Sequence, residues 1–498
     1  MGITARVSLA RARDVTLGTF LERFAHARAN RVLVEQPDGL RLTYAEAADL
    51  VARAAGTVRT KITTGDRVVV ALPNGYPLLL ACLAVCRAGG VAVPVNERMA
   101  APEIDYIEQD ANAVWRIDDF DVLVDSPPTD AVPVSAEAVA MLLYTSGTTG
   151  RPKGAQLTHR SLLSGMRAGA LAPEALLAHG CVTGMPVAHI AGLQMLLGLA
   201  AAGIPVFLLT HFRPTDALDA IEQRRPMLFL GVPAMYRMML EAGAADRDLS
   251  SVRMWSSGAD TLPPDIVDAF QRMGRGIPVP FTRLGIGRAS FVDGYGMVEL
   301  AGGVAVRVFG PIPIPGVRGL LRPMQGHEVR IVDDDGHDVG RGEVGELLVR
   351  GPGVMRGYYG RDDATAATVS GDGWLRTGDL ARPRHLGFFE LAGRKKDVIK
   401  HGGYSVFAVE VERALEEHPA VAEAAVLPLP DTAKGEVPVA AVRLHPDAVA
   451  TPETLRAHCA AILSDYKVPR QIVVVDELPR TGTEKVQKRD LVPLFDAQ

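Results

Sequence analysis

Residues 144–155 combine the residue types that a phosphate group needs, in the order YTSGTTGRPKGA. Glycines let the backbone turn its N–H groups toward phosphate oxygens. The Ser and Thr hydroxyls add neutral donors, and Lys153 adds a compact positive charge. The run follows an apolar, strand-like segment, 138–143, and precedes a helix start at Thr158. A solvated Ser/Thr/Gly linker has a similar composition, but the lysine after a strand favours phosphate binding. The spacing does not fit the GxxxxGK[ST] loop of nucleotide hydrolases.

This segment resembles the phosphate loop of the adenylate-forming superfamily, which includes acyl-CoA synthetases, luciferases and the adenylation domains of peptide synthetases. Further motifs of the superfamily follow in the same order up to Lys485, so the resemblance covers nearly the whole chain. It implies that ATP activates a carboxylic acid to an acyl-adenylate with release of pyrophosphate, and that the acyl group then passes to CoA. It also implies a set of phosphate-binding residues: Thr145, Ser146, Gly147, Thr148, Thr149, Gly150 and Lys153.

Residues 293–299, DGYGMVE, resemble the second nucleotide motif of the superfamily. The resemblance assigns Glu299 to Mg²⁺, and a hard cation that bridges phosphates usually takes one or two carboxylates plus water. Most relatives have Thr or Ser where this chain has Val298, so a hydroxyl near the α-phosphate is missing. Tyr295 is expected to stack on adenine. The motif residues expected to bind the nucleotide are Asp293, Gly294, Tyr295 and Gly296.

One further segment and two single residues are expected to contact the nucleoside of ATP. The segment 256–260 resembles the strand end that lines the adenine pocket, with Gly258 and Ala259 as the contact residues. Asp379, in the segment GWLRTGDL, is implied to accept hydrogen bonds from both ribose hydroxyls, a role that suits the two oxygens of a carboxylate. Arg394 is implied to reach the same ribose.

Lys485 matches the C-terminal catalytic lysine of the family. Its ammonium group can neutralise the substrate carboxylate and the α-phosphate as they meet. Relatives commonly have Gly before this lysine, and this chain has Glu484. Relatives also rotate the C-terminal domain between the two half-reactions, because one small site cannot hold pyrophosphate and the incoming thiol together. Lys396 is at the hinge position, and the segment implied to line the thiol tunnel contains Gly402, Gly403 and Tyr404.

His189 occupies the position of the family's gate at the acyl pocket, although a single histidine on an apolar face is usually a core residue. Amino-acid-activating relatives place an Asp near this gate, whereas residues 186–197 contain no acidic residue. An apolar acyl or aryl acid is therefore favoured, with a fatty acid as the first expectation. The expected lining residues are Met195, Leu196, Leu197, Phe229, Met235 and Tyr236.

Three alternatives remain open from the sequence. An acyl-AMP ligase would load a carrier protein instead of CoA. An aryl-CoA ligase shares every motif with a fatty-acid ligase. A nucleotide-binding homologue without catalysis is suggested by Val298 and Glu484, but it conflicts with the presence of the main functional residues: Lys153, Glu299, Asp379, Arg394 and Lys485.

The elements that position these residues indicate an α/β protein. Helix-like and strand-like segments alternate through the first part, which predicts mostly parallel sheets covered by helices. After residue 391 the elements become shorter, as in a small α+β domain. We therefore expect an ATP- and acyl-binding N-terminal domain, 1–395, and a smaller mobile C-terminal domain, 396–498, that carries Lys485.

Composition narrows the functional classes. The chain has 498 residues and a net charge of −5 with dispersed basic residues, so no nucleic-acid surface is expected. Its four scattered cysteines fit neither a disulfide framework nor a zinc site, which suits a reducing cytoplasm. Residues 187–210 carry no Asp, Glu, Lys or Arg, but the break at 203–205 indicates a buried helix and strand rather than a membrane span. A long-chain acid would favour peripheral membrane contact, but no basic amphipathic helix stands out.

Overall fold

The structure is a computed structural model that describes residues 15–96, 99–145, 151–165, 180–260, 262–278, 285–311, 319–402, 404–432, 434–480 and 486–496. Several residues with predicted roles lie outside these ranges: Ser146, Gly147, Thr148, Thr149, Gly150, Gly403, Glu484 and Lys485.

The α-helices of the described residues are, in chain order, α1 (Phe20–Arg28), α2 (Tyr44–Arg59), α3 (Tyr76–Arg87), α4 (Ala101–Asp110), α5 (His159–Leu163), α6 (Ile190–Ala202), α7 (Pro214–Arg224), α8 (Pro233–Glu241), α9 (Pro264–Met273), α10 (Asp362–Thr368), α11 (Ala408–Glu416), α12 (Pro452–Ile462) and α13 (Pro493–Asp496).

The β-strands of the first half are β1 (Val32–Glu35), β2 (Arg41–Thr43), β3 (Arg67–Val70), β4 (Val91–Pro94), β5 (Trp115–Ile117), β6 (Val139–Thr145), β7 (Lys153–Thr158), β8 (Cys181–Thr183), β9 (Val206–Leu208), β10 (Leu228–Leu230), β11 (Met254–Gly258), β12 (Ile277–Pro278) and β13 (Gly285–Ile286).

The strands that follow are β14 (Ser290–Met297), β15 (Gly302–Phe309), β16 (Arg322–Pro323), β17 (Glu328–Val332), β18 (Gly345–Arg350), β19 (Leu375–Pro383), β20 (Phe389–Arg394), β21 (Val398–His401), β22 (Tyr404–Phe407), β23 (Val421–Asp431), β24 (Gly435–Leu444) and β25 (Gln471–Val474).

Local signals account for several helix ends. Thr43 and Glu46 form the capping box at the start of α2, because the Thr43 side chain accepts from the Glu46 N–H and the Glu46 carboxylate accepts from the Thr43 N–H. Helix α6 ends at Gly203, whose φ of 80° is a left-handed conformation that glycine adopts without strain. The apolar segment 187–210 therefore forms a helix, a turn and the strand β9, as predicted. Among the described helices, none combines the length and the hydropathy that crossing a bilayer requires.

Two mostly parallel sheets form the larger part of the fold. Within the described residues, the first sheet has the order β16-β15-β14-β11-β10-β8-β9-β1-β2, and its strands from β14 to β1 are parallel. The second has the order β5-β3-β4-β6-β7, in which only the β6–β7 pair is antiparallel. Helix α3 contacts β3 and β4. This arrangement confirms the predicted α/β class.

Two smaller sheets belong to the later part of the chain. One has the order β17-β18-β19-β20, and the other joins β21 to β25 with helices α11 and α12 packed on it. By compactness the chain divides into two units, Met1–Glu328 with Arg350–Leu375, and Val329–Val349 with Arg376–Gln498. The sequence predicts the domain boundary between residues 395 and 396. That boundary is defined by movement of the C-terminal domain, which the compactness of the two units does not test, so it stays a prediction.

The core of the first unit contains an aromatic cluster in which Tyr236 is packed against Phe229, Trp255 and Phe270. The four cysteines are buried thiols, and burial raises the pKa of Cys86 to about 12. They therefore behave as small core residues.

Candidate active site

The two strands that flank the expected phosphate loop are antiparallel, with Thr145 paired to Lys153. The glycine-rich composition of residues 144–155 indicates a loop, but the hydrogen-bonded ladder of β6 and β7 extends into this segment. Lys153 therefore lies on a strand. At Gly154, an added Cβ would lie 3.1 Å from the Tyr144 ring, so the glycine allows close packing at this point. The Tyr144 hydroxyl donates to Asp110 Oδ2 at 2.9 Å and anchors the end of β6 to helix α4.

Lys153 and Glu299, which are 146 positions apart in the numbering, are both in contact with one tyrosine. Lys153 Nζ lies 4.9 Å from the ring centroid of Tyr358. The Tyr358 hydroxyl donates to Glu299 Oε1 at 2.8 Å in a buried contact. The structure thus places the predicted phosphate-binding cation at the ring of Tyr358 and the predicted metal ligand at its hydroxyl.

The two segments expected to bind the nucleoside are neighbours in the large sheet. Strands β11 and β14 are parallel, and Gly258 pairs with Gly294. An added Cβ at Gly258 would lie 2.9 Å from the Gly294 carbonyl oxygen, so the strands leave no room for a side chain at position 258. Ala259 follows with a φ of 71°, an uncommon conformation for a non-glycine residue. Both segments lie at the carboxyl ends of their strands, where open α/β sheets bind ligands.

Asp293 is a buried carboxylate on β14, between its neighbours β11 and β15. Its Oδ2 accepts from Arg307 Nε at 2.7 Å, whereas Oδ1 has no hydrogen-bond partner among the described residues. Burial raises the pKa of Asp293, the Arg307 charge opposes that rise, and the Asp260 charge adds to it. The hydroxyl of Ser257, the residue paired with Asp293, is also buried without a described partner. Buried polar atoms of this kind are suited to hydrogen bonds from a bound ligand.

His189 is the N-cap of helix α6, and its Nδ1 accepts from the Ala191 N–H at 3.2 Å. The helix starts close to the preceding turn, since a Cβ at Gly192 would lie 2.1 Å from the Pro186 carbonyl oxygen. Next to this helix start lies an apolar cluster, which we call the methionine cluster. It contains Met185, Val232 and Met235, with Ala191, Met195, Phe212, Ala234 and Ala259 packed against them.

The residues expected to line the acyl pocket fall in different parts of the first unit, and their role stays a prediction. Met195 and Met235 belong to the methionine cluster. Phe229 and Tyr236 are fully buried in the aromatic core instead. Ala259, at the end of β11, belongs to both the nucleoside segment and the methionine cluster, so these two parts of the first unit adjoin.

In the second unit, Asp379 and Arg394 pair across β19 and β20. Arg394 Nε lies 2.9 Å from Asp379 Oδ1, and the Asp379 side chain is only 9% exposed. The structure thus brings together the two residues that the family resemblance assigns to one ribose. Lys396, two residues after Arg394, has a lowered pKa because it is partly buried. The nearby charges of Arg394 and Lys488 lower this pKa further.

The expected thiol-tunnel segment connects β21 to β22. Gly402 has a φ of 57°, a left-handed conformation. Tyr404 is 58% exposed and stacks on Tyr466, with ring centroids 4.5 Å apart. The roles of all these residues in binding and catalysis stay predictions.

Tyr358 and Arg307 are the site residues that the sequence analysis missed. Arg307 lies 14 residues beyond Asp293 on the antiparallel strand β15, and no local pattern indicates that contact. Tyr358 belongs to the segment Arg-Gly-Tyr-Tyr-Gly, 356–360, whose glycine-flanked aromatic pair could have marked it as a buried turn.

Two models of known protein families match most of the chain. The model of the AMP-binding enzyme family matches residues 21–123 and 115–359, and that of the AMP-binding enzyme C-terminal domain matches residues 410–485.

Among characterised proteins, a feruloyl-CoA synthase of Amycolatopsis sp is 34% identical, over 96% of this chain and 99% of that protein. A long-chain-fatty-acid–CoA ligase of Bacillus subtilis is 29% identical, over 91% of this chain and 90% of that protein. The solved structure of the Bacillus subtilis o-succinylbenzoate coenzyme A synthetase in complex with AMP has a TM-score of 0.81 at 27% identity, and covers 95% of this chain and 98% of that one.

These matches extend from the phosphate-loop strands to the C-terminal domain, and the relatives share one type of reaction. Its substrates, ATP, a carboxylic acid and CoA, are those inferred from the motifs. The chain therefore belongs to the AMP-binding enzyme family, in its acyl-CoA synthetase branch, and is an AMP-forming acid–thiol ligase.

Proposed function

We propose that this enzyme activates an apolar carboxylic acid, with an aromatic acid as the first candidate, and transfers its acyl group to CoA. The observation that carries this proposal is the methionine cluster. All of its members have apolar side chains, and it includes Ala259 at the end of the nucleoside-binding strand. Methionine side chains adapt to irregular shapes and make favourable contacts with aromatic rings.

The relatives support the aromatic candidate. The relative at 34% identity is named for an aromatic acid, whereas the one at 29% identity is named for long-chain fatty acids. A fatty acid, the first expectation from the sequence, is the second candidate, because the same apolar side chains can pack against an alkyl chain.

For the first half-reaction, Lys153 and the Thr145–Gly150 segment bind the ATP phosphates in this proposal. Glu299 holds Mg²⁺, which when bound neutralises phosphate charge. The fit is favourable, since Glu299 is a buried carboxylate and its Oε1 accepts a hydrogen bond from the Tyr358 hydroxyl. Asp379 and Arg394 bind the ribose, and Lys485 neutralises the carboxylate and the α-phosphate as they approach.

For the second half-reaction, His189 separates the acid from the thiol in this proposal, and Gly402, Gly403 and Tyr404 line the path of the thiol. The cytoplasm is the proposed location, in agreement with four buried thiols.

The test is pyrophosphate release by the purified enzyme with ATP, Mg²⁺ and a panel of acids, with and without CoA. The panel pairs cinnamic-type and benzoic-type acids with saturated acids of equal carbon number. We expect acyl-CoA formation, with kcat/KM higher for the aromatic member of each pair. A higher kcat/KM for the saturated members would favour the fatty-acid candidate.

Two further outcomes would change the proposed acceptor or remove the activity. Pyrophosphate release without consumption of CoA would indicate a ligase that loads a carrier protein. ATP binding without pyrophosphate release with any acid would indicate a nucleotide-binding homologue. The Lys485→Ala variant serves as the control, because it should lose pyrophosphate release while retaining ATP binding.

A further inference from the structure

We infer that Tyr358 is a positioning residue that holds the Glu299 carboxylate and the Lys153 ammonium group in place for the ATP–metal complex. This inference rests on the proposed function, in which Glu299 is the metal ligand and Lys153 contacts phosphate. Three sets of contacts carry it.

The first contact is the hydrogen bond between Tyr358 and Glu299. The phenol donates to Glu299 Oε1 at 2.8 Å, and both residues are only 7% exposed. Hydrogen bonds to a charged acceptor in a buried environment are stronger than those between neutral groups. A bond to one carboxylate oxygen restricts rotation of the carboxylate and leaves the other oxygen as the metal ligand. Tyr358 would thereby orient Glu299 before the metal binds.

The second contact joins Tyr358 to Lys153. The ammonium nitrogen lies 4.9 Å from the ring centroid, within the range of a cation–π interaction. A lysine side chain has several rotatable bonds, and a fixed aromatic surface limits the positions that its charge can take. The same tyrosine therefore restrains a cation with its ring and an anion with its hydroxyl.

The third set of contacts fixes the backbone of Tyr358. Its N–H donates to Thr365 Oγ1 at 2.9 Å, and it forms a β-bridge with Ala155 on β7, two residues from Lys153. The backbone just before Tyr358 is also held by a hydrogen bond, since the Met355 N–H donates to the Glu299 carbonyl oxygen at 2.8 Å. The segment 355–359 is thus attached to both of the elements that carry the two charged groups.

The phenol is also kept in its protonated form. Burial raises the pKa of Tyr358, and the Glu299 charge and hydrogen bond raise it further, while a hydrogen bond with Thr368 opposes the rise. In the structure the phenol is the donor in its bond to Glu299 Oε1. Proton transfer is not required of it, which is why the role is positioning rather than acid–base catalysis.

The test compares Tyr358→Phe with Tyr359→Phe. The first variant keeps the ring and removes the hydroxyl. The second is a matched control in the same segment, because the Tyr359 ring faces the Arg67 guanidinium, 5.6 Å from its centroid. Binding of ATP is measured by titration calorimetry across a series of Mg²⁺ concentrations, and pyrophosphate release is measured across the same series.

We expect Tyr358→Phe to raise the Mg²⁺ concentration for half-maximal ATP binding and turnover about tenfold, the size expected for losing a hydrogen bond to a charged group. The KM for the acid should stay unchanged, and Tyr359→Phe should behave like the wild type. In a Glu299→Gln background, the Tyr358→Phe change should have no further effect on Mg²⁺ dependence.

A lower Tm for Tyr358→Phe with unchanged Mg²⁺ dependence would assign the residue a structural role and overturn the inference. Equal shifts in Tyr358→Phe and Tyr359→Phe would overturn it as well. Failure of the proposed function looks different: the wild-type enzyme itself would then bind ATP equally well with and without Mg²⁺, or would release no pyrophosphate.

Discussion

Two glycines on the neighbouring strands β14 and β15 differ in the space that a side chain would have. A Cβ added at Gly296 would lie 2.0 Å from the carbonyl oxygen of Gly302 on the neighbouring strand β15. Across the same strand pair, a Cβ at Gly303 would meet nothing closer than the Met324 sulfur at 3.9 Å. The space available to a side chain therefore differs between these two glycines. At Gly296 the fold requires glycine, because β14 and β15 approach closely just before Glu299.

The prediction at this scale is that Gly296→Ala destabilises the first unit by about 2 kcal/mol or more, as overpacking against backbone does, and raises the KM for ATP. Thermal or urea unfolding and ATP kinetics measure the two effects. Gly303→Ala is the matched control and should change the free energy of unfolding by less than about 1 kcal/mol. Equal effects of the two substitutions would mean that the strand approach does not limit position 296.

At the scale of elements, helix α6 is anchored at both ends. His189 caps its N-terminus, where the predicted gate lies. At the other end, Arg28 donates to the carbonyl oxygens of the last three residues of the helix at 2.9–3.2 Å, and the Tyr44 hydroxyl adds a bond of 2.6 Å to Ala200. A buried cation at a helix C-terminus satisfies orphan carbonyl groups and interacts favourably with the helix dipole.

Arg28→Met should lower the free energy of unfolding of the first unit by about 2–4 kcal/mol, because buried helix-end carbonyls would lose their donors. Urea unfolding measures it. Arg53→Met is the control, since the Arg53–Asp49 ion pair is on the surface and should contribute less than about 1 kcal/mol. A similar small change in both variants would show that water or neighbouring side chains replace Arg28 at no cost.

Helix α5 carries a pH-sensitive contact at its first residue. Nδ1 of His159 accepts from the Leu17 N–H at 3.2 Å, so the neutral ring is required. Burial lowers the pKa of His159 to about 4. In the unfolded chain the pKa of His159 has its ordinary value, so the unfolded state takes up the proton first as the pH falls. The stability contribution is complete above the unfolded pKa of about 6.5 and is lost as the pH falls through about 4.

Between pH 7 and pH 5, this residue should therefore remove about 2 kcal/mol from the free energy of unfolding. His159→Asn keeps an acceptor for the Leu17 N–H and does not titrate, so its stability should fall less over the same range. Urea unfolding of both proteins at pH 7 and pH 5 gives the comparison. Parallel losses in both proteins would refute the assignment to His159.

At the scale of the whole molecule, the residues proposed to bind one nucleotide are divided between the two units. Lys153, Gly294 and Glu299 belong to the first, and Asp379 and Arg394 to the second. We propose that Lys396 is the pivot between the half-reactions. Lys395, the residue before it, is bonded to Asp334 and Glu346 within the second unit, which places an anchored residue directly before the proposed pivot.

Lys396→Pro should reduce one half-reaction at least tenfold and leave the other nearly unchanged, because proline removes the rotation about φ that a pivot needs. Pyrophosphate release measures the first half-reaction, and acyl-CoA formation from a prepared acyl-adenylate measures the second. Lys396→Ala is the control, since it removes the charge but keeps the backbone freedom. Uniform loss in both assays would argue against a pivot at this residue.

The sequence alone determined those features that depend only on residues a few positions apart, such as helix starts and helix ends. The capping box at Thr43 and the helix end at Gly203 are set by bonds within one turn. The family motifs identify the reaction for a related reason, since phosphate and metal binding require particular residue types at short spacing. Glu299 could be proposed as a metal ligand in this way.

Only the tertiary structure decided which distant residues meet. Sheet order places Gly258 beside Gly294, and packing buries Phe229 in the aromatic core. Tyr358 reaches Glu299 across 59 residues because the segment 355–359 bonds to β7 and to the backbone of Glu299. Such contacts depend on which strands pair and in which register, and that choice reflects the burial of the whole core rather than any local pattern.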